Sequence, residues 1–509
     1  MKSIVIVGGG TAGVTLALRL LENSQNTSVT IVESGQSVTS GDKRTWLDFV
    51  ARGMNHDPHA ELLEASEDQE DIGARVLSLK GSRYFGIGGT TNAWGGWCLR
   101  YHPEDFHLFS NTGHGADWPF GLDVLLPYYE RAEHTLWVAG ENGPNATIPY
   151  TQKDGIIIET LRDLGISYEP LPLARRESCV TIGTCKYCPV EKRYLPQPDL
   201  RTLNTKFISR FSMRSATLAE SLVMRSRNEC VGVRVRANGA DNTEVILADV
   251  VVLALGAIET PKLLLASKTQ ECPTGIGNGT GHVGRHITAH PLVRVVGNRA
   301  NNKDEVEQPL DFPTLASRHF DSPGFQSVGK LFFVNDSRSS VEKIEERLRR
   351  GEPLGSIRDT MRLRMPFELR GFVEVFSDAG NYIELGSGAS SCGGNRTRVK
   401  FSQSATTKAA IAWAEQELVK VLEAAGLQDV ERKTSATIRA DHATSTCRMS
   451  NDECDGVVDP DLRVHGTDNV FVCSNAVIPN GAAVNPTLTL IALAERLADH
   501  LARPQTRGL

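Results

Sequence analysis

The chain begins Met1-Lys2-Ser3-Ile4-Val5-Ile6-Val7 and runs straight into Gly8-Gly9-Gly10-Thr11-Ala12-Gly13. A short apolar run that stops at clustered glycines reads as a buried strand over residues 4–7 and a tight turn. Residues 14–21 continue as an apolar helix, and residues 29–32 as a second buried strand. Strand, glycine turn, helix and strand in this register make a βαβ unit, which constrains the fold more than any other feature here. The glycine spacing is GxGxxG. Gly8 permits the turn, Gly10 lets backbone N–H groups approach a pyrophosphate, and Gly13 allows close packing of helix on strand. Thr11 and Ala12 open the helix, whose N-terminus offers partial positive charge to phosphates. Glu33 ends the second strand 20 residues after Gly13, where a carboxylate accepts from ribose hydroxyls and repels a 2′-phosphate. The pattern predicts a dinucleotide site without choosing between FAD and NAD.

The chain has 509 residues, beyond the roughly 250–300 at which a single core stops growing, so two domains are expected. Lys+Arg 55 against Asp+Glu 61 leaves a net charge of −6, too balanced for a nucleic-acid or anionic-membrane partner. The first apolar run is too short for a secretory signal, and no run approaches the roughly 18 apolar residues of a membrane span. Ten cysteines are far below disulfide-scaffold density, which points to a soluble, cytoplasmic chain with reduced thiols.

Further strands are expected at 249–255 and 469–473, and a closing helix at 487–501. The middle differs. Residues 360–365 alternate polar and apolar, as a strand with one wet face does. Residues 372–376 and 381–385 flank Asp378-Ala379-Gly380, a hairpin-turn signal. Ile411, Ala414, Leu418, Val421, Leu422 and Ala425 keep a helical period up to Gly426. Residues 339–350 read as a solvated surface helix. Nucleotide-fold segments at the start, near residue 250 and at the end therefore bracket antiparallel insertions, giving a discontinuous α/β domain with a second, sheet-rich domain.

Three more segments carry a resemblance. They are Gly86-Ile-Gly-Gly-Thr-Thr-Asn-Ala-Trp-Gly-Gly96 with Arg100 and Asp105-Phe106; Leu255-Gly-Ala-Ile-Glu-Thr-Pro-Lys-Leu-Leu-Leu265; and a C-terminal block. That block holds His442-Ala-Thr-Ser-Thr-Cys-Arg-Met449, Gly456-Val-Val-Asp459, Ala476-Val-Ile-Pro479 and Asn485-Pro486-Thr487. Together they resemble the glucose–methanol–choline oxidoreductases, FAD-dependent alcohol oxidases and dehydrogenases, nearest to the sugar and aminosugar dehydrogenase type. The resemblance implies a Rossmann-like FAD-binding domain from residues 1–130, 195–295 and 430–509. An antiparallel-sheet substrate-binding domain would come from 131–194 and 296–429.

Roles carry over position by position. The resemblance implies that His442 accepts the alcohol proton while the hydride passes to flavin N5. Asn485 falls where the family keeps its second catalytic residue, His or Asn. Gly89, Thr90, Asn92 and Ala93 would wrap the flavin and pyrophosphate, Ala476, Pro486 and Thr487 would lie near the ring, and Val223 would touch the adenine side. Ala93 stands where some members carry a histidine for covalent attachment, so noncovalent FAD is implied. Two departures are Ser474-Asn475 in place of the usual Asp, and His442-Ala-Thr-Ser-Thr446 in place of His-x-x-Gly-Thr.

The chemistry suits these residue types. Imidazole is the side chain whose unperturbed pKa lies nearest neutrality, which fits a base for a hydroxyl proton. An asparagine amide can hold the same oxygen. The implied substrate is a small polar alcohol such as a sugar, an aminosugar or aminoglycoside, or a related biosynthetic intermediate, with O₂ or another acceptor as reoxidant. His286, His290 and His465 read as surface or packing residues, and Cys447 and Cys454 as packing. Cys179, Cys185 and Cys188 form C-x5-C-x2-C-P. Thiolates so spaced can hold zinc or an iron–sulfur cluster, but the spacing differs from the cluster loop of multisubunit sugar dehydrogenases, so no metal is assigned. A hydroxynitrile lyase with structural FAD is the alternative enzyme. A flavin-dependent halogenase would carry Trp-x-Trp-x-Ile-Pro, which is absent, and a mere nucleotide binder has no use for His442 and Asn485.

Overall fold

The computed structural model describes residues 1–36, 68–176, 192–300, 312–336, 347–348, 350–357, 364–391 and 393–503. The cysteine triplet 179–188 and all but three residues of the charged segment 339–350 lie outside the described residues.

The N-terminal glycine loop sits at the end of a five-stranded, wholly parallel sheet. Its order is Val470–Val472, Val250–Leu253, Lys2–Val7, Thr27–Val32 and Phe211–Arg214. Val250–Leu253 is buried along its length, as a central parallel strand covered on both faces must be. Helix Thr11–Asn23 starts at the last glycines and packs beside helix Thr487–Ala502, which in turn packs on helix Leu122–Thr135. The last of these runs through residue 130 as one element. Tyr129 Oη meets Thr489 Oγ1 at 2.7 Å, and Thr135 Oγ1 donates to Glu495 at 2.9 Å. It thus belongs whole to the nucleotide side, and the boundary expected at 130 falls inside it.

A second, mostly antiparallel sheet has the order Gln428–Arg432, Leu292–Ala300, Arg364–Val373, Leu331–Asn335, Leu315–Ser317 and Glu169–Pro170. Helices Ala405–Ala424 and Gln152–Asp163 bury their apolar faces on it, through Ala414, Leu418, Ile157 and Leu161 against Val293, Phe333 and Leu369. Ala405–Ala424 ends before Gly426, whose φ of 71° closes the helix in the left-handed region.

The Asp378-Ala379-Gly380 turn forms, with Gly380 N–H donating to Asp378 Oδ1 at 2.7 Å, but it is not a hairpin. Arg364–Val373 before it belongs to the six-stranded sheet. Tyr382–Ala389 after it pairs instead with Asn395–Lys400, which in turn pairs with Gln69–Asp71. Alternation and a turn residue specify a reversal, and they do not say which strand each arm pairs with. Both Tyr382–Ala389 and Asn395–Lys400 pack on helix Gly256–Ala266, which follows the parallel strand Val250–Leu253.

Candidate active site

A cavity of about 1900 Å³ runs between the ends of the parallel strands and the face of the six-stranded sheet. Its nucleotide end is built from backbone. Gly8 has φ 114°, and a Cβ there would lie 2.4 Å from Ala254 O. Gly88 N–H donates to Gly9 O at 2.8 Å, which docks the second glycine loop on the first. A hydroxyl pair, Thr11 Oγ1 to Thr91 Oγ1 at 2.8 Å, locks the two together. Helix Thr11–Asn23 has Gly10 as its N-cap, no side-chain cap and no acid in its first turn, so its free N–H groups and dipole remain available to phosphate.

Glu33 accepts from Gly9 N–H at 2.8 Å and Gly35 N–H at 2.9 Å. Burial pushes its carboxyl upward, and these bonds partly offset the shift. Arg83 and Lys262 both reach Glu259 Oε1 at 2.8 Å on the cavity wall. Burial works against the Glu259 charge, but the two cations outweigh it and hold the carboxyl below its ordinary value.

Of the cofactor residues expected from sequence, Gly8, Gly10, Thr11, Ala12, Glu33, Gly89, Thr90, Ala93 and Thr487 line the cavity. Gly13 lies behind it, where a Cβ would meet Gly8 O at 2.2 Å, which is the close helix–strand contact. Asn92 also stands back and donates to Gly89 O and Ile87 O, holding the loop. Ala476 and Pro486 are buried in the backbone behind Asn475 and Asn485. Val223 is not on the cavity lining: it pairs with Gly232, and the part of its strand that borders the cavity is residues 217–220.

The groups present fit FAD. The cradle accepts a pyrophosphate, and Asn475 Oδ1 on the cavity wall is a buried acceptor with no partner among the described residues, suited to a donor hydroxyl. Ala93 offers no nucleophile for a covalent bond.

At the other end His442 closes a short 3-10 turn, Ala440–His442. The chain behind it is stitched in place: Thr444 and Thr288 exchange backbone bonds, Cys447 N–H donates to Ala476 O at 2.9 Å, and Met449 N–H to Val477 O at 2.8 Å. Those bonds hold the histidine segment against the Ala476 segment. His442 Nε2 lies 2.9 Å from Asn485 Nδ2 although the residues are 43 apart in sequence. Burial, then His290 and Arg439, hold the His442 pKa well below the usual histidine value, so the ring is a neutral base at pH 7.

His290, read from sequence as structural, lines this cavity. Its Nδ1 is 3.1 Å from His442 Nδ1, and its pKa is pushed down to about 4, mainly by burial. His286 is also buried and lowered to about 3, while His465 is half-buried. Cys447 is buried as expected, but Cys454 is exposed.

The six-stranded sheet supplies the facing wall. Leu292 pairs with Phe372, and the Phe372 ring meets the His442 ring edge-on at 4.7 Å. The next pair on the same face is Arg294 with Arg370, about 7 Å along the strands. Like charges directly opposite repel, and here Glu368 holds both, accepting from Arg294 Nε at 2.7 Å and Arg370 Nε at 2.5 Å. Asp336 takes Arg370 Nη1 at 2.7 Å. Burial would raise the Glu368 carboxyl, but the two guanidiniums bring it down to about 2. Nothing in the local sequence signals this wall, because it exists only once two distant strands pair.

The GMC oxidoreductase N-terminal family profile matches residues 2–292 and the C-terminal profile residues 377–494. The fructose dehydrogenase large subunit of Gluconobacter japonicus is 25% identical, over 99% of this chain and 98% of its own. Paromamine 6′-oxidase of Streptomyces fradiae is 26% identical, over 98% and 91% respectively. Among solved structures, pyridoxine 4-oxidase from Mesorbium loti superposes with TM-score 0.67 at 20% identity, covering 98% of this chain and 99% of that one.

Proposed function

The chain belongs to the GMC oxidoreductases, FAD-dependent enzymes acting on alcohol groups, and we propose that it oxidises a polar polyol of the sugar class. The observation that carries this reading is the His442–Asn485 pair, 2.9 Å apart on the wall of the same cavity that the glycine cradle closes. FAD, when bound, supplies the two-electron acceptor. Gly8, Gly10, Thr11, Ala12, Glu33, Gly89, Thr90, Asn475 and Thr487 are the residues that would hold it.

The protein's own part is the proton. A substrate hydroxyl entering between His442 and Asn485 accepts from the Asn485 amide and donates to His442 Nε2. As the C–H bond breaks, the O–H proton moves to Nε2 and the carbonyl forms. His442 is suited to this because burial keeps it neutral before the proton arrives. Asn485 fixes the oxygen, and with it the direction of the C–H bond.

The sugar class is supported by the facing wall. Phe372 and Trp97 offer aromatic faces, and Arg294 and Arg370 offer donors, one strand pair away from His442. Lys433 and Arg439 line the cavity too. Two relatives named for sugar and aminosugar substrates support the class in general. The free, buried thiols of Cys98, Cys230, Cys447 and Cys473 accord with a cytoplasmic enzyme.

The test is an anaerobic visible spectrum of the FAD-loaded protein before and after neutral sugars, sugar acids and aminosugars. Bleaching by one of these sugars is expected. Bleaching by no alcohol would refute the reading.

A further inference from the structure

His290 lies at the centre of a directional hydrogen-bond chain, and the direction is set at its far end. Its Nε2 faces the Gly481 carbonyl oxygen at 3.2 Å. A carbonyl only accepts, so Nε2 carries the proton. Buried and neutral, His290 then has Nδ1 as a bare acceptor. His442 Nδ1, 3.1 Å away, must be the donor. A neutral imidazole has one N–H, so His442 Nε2 is left unprotonated, and it is this atom that the Asn485 amide meets at 2.9 Å. Every link follows from the backbone carbonyl, whichever way the asparagine amide is turned.

The carbonyl itself is held firmly. Tyr101 Oη donates to Gly481 O at 3.0 Å, and Asn480 Nδ2 ties the loop to Asp105 O at 2.9 Å and Ala116 O at 3.1 Å. A Cβ at Gly481 would stand 3.0 Å from His290 Nε2, so the close approach suits glycine. Phe372 packs over both imidazoles, with centroids 5.7 Å from His290 and 4.7 Å from His442. The charged groups bearing on the pair are Arg439, beside His442, and Asp321, toward His290.

We propose that His290 is a positioning residue that, anchored on the Gly481 carbonyl, fixes His442 in the Nδ1–H tautomer with Nε2 free to take the substrate proton. The claim rests on the reading of His442 as the base. When the alcohol O–H bond breaks and the Nε2–H bond forms, His442 becomes an imidazolium. Its Nδ1–H stays on His442 and is held by His290 Nδ1, so the positive charge keeps an acceptor in a buried site.

Two side chains separate positioning from mere packing. The asparagine of His290→Asn can place Oδ1 where Nδ1 was and so keep an acceptor for His442. The glutamine of His290→Gln reaches the Gly481 carbonyl instead and offers His442 no acceptor. FAD content and thermal midpoint report folding for both, and for His290→Ala. The expected result is that His290→Asn keeps most of the limiting rate of flavin reduction. His290→Gln and His290→Ala should lose about ten- to a hundred-fold, with substrate Kd little changed. Equal loss in the Asn and Gln variants, or no loss in the Ala variant, overturns the proposal. A readout independent of substrate is ¹⁵N-histidine NMR of the FAD-loaded protein at pH 7. Parent His442 should show Nδ1 protonated and Nε2 bare, with that preference lost in His290→Gln. An Nε2–H tautomer in the parent also overturns the proposal. If no alcohol reduces the flavin, the base reading fails on its own, and the NMR result still decides the tautomer.

Discussion

Around Gly8 and Gly10 the cavity wall is backbone, whereas around His442 and Arg370 it is side chain. The first end works because side chains are missing. Peptide N–H groups, a helix terminus and a carbonyl-to-glycine contact leave room for a cofactor, and few side chains, Glu33 and Asn475 among them, add functional groups from beyond the glycine loops. The second end works because side chains from four separate stretches converge: His290 and Arg294, Phe372 and Arg370, His442, and Asn485. The backbone end tolerates little added volume. The side-chain end tolerates little lost charge, because its polar groups are buried and hold one another.

Beneath the side-chain end lies a charged cluster with no counterpart at the other. Lys330, Asp105 and Asp321 are all fully buried, with Lys330 paired to Asp105 and 3.9 Å from Asp321, while Arg318 braces Asp321. Glu374 lies with them, its carboxyl pushed up to about 8, chiefly by burial. It is therefore neutral at pH 7, which lets the cluster balance.

The largest effect should come from His442→Ala, with the rate of flavin reduction falling about 10²- to 10⁴-fold while the protein stays yellow. Stopped-flow absorbance checks it, and an unchanged rate would remove His442 from the chemistry. Next, Lys330→Met leaves the buried Asp105 carboxylate without its cation and should cost about 3–5 kcal/mol in urea unfolding. If the midpoint does not move, the cluster is not what supports the side-chain end. Gly8→Ala should cost about 1–3 kcal/mol in backbone strain alone and lower FAD occupancy after purification. Full occupancy in that variant would contradict a cradle that needs the bare backbone. Arg370→Lys keeps the charge but cannot bridge Glu368 and Asp336. It should raise KM about three- to tenfold, roughly the worth of one hydrogen bond, with FAD occupancy unchanged. A loss of FAD there would mean that the two ends are not separable.

The smallest effect is on stability against pH. His286, His290 and His442 are held neutral by burial, so the unfolded chain binds protons that the folded protein refuses. Stability should be level above about 6.5, the ordinary histidine value, and fall as pH drops toward about 4. A thermal midpoint that is flat from pH 7 to 5 would show that these rings take up protons in place.

The nucleotide half was legible because its signals are local. Gly8 and Gly13 are needed by two close backbone contacts within one turn, and the apolar run at 250–253 is continuous because both faces of a parallel strand are covered. The strands at 250–253 and 470–472 and the closing helix Thr487–Ala502 form where periodicity puts them. Val223 stands off the cavity lining because its strand borders the cavity only at residues 217–220, which distance along an edge strand does not reveal. The turn at 378–380 misled for a related reason, since its two arms pair in different sheets.

The sequence by itself determined the βαβ unit, the glycine cradle and the identity of His442 and Asn485 as chemical groups. The first two depend on residue type and short spacing, which a linear chain carries, while His442 and Asn485 are marked by the family resemblance of the C-terminal block. Only the tertiary structure decided that His290 faces His442, that Arg294 pairs with Arg370 across two strands, and that Lys330 is sealed between Asp105 and Asp321. His290 and His442 are 152 positions apart, Arg294 and Arg370 76, and Lys330 and Asp105 225, close enough to interact only once strands register and loops close. The physical reason is that hydrogen bonds and ion pairs act over a few ångströms, while sequence pattern reports only which face of its own strand or helix a residue occupies.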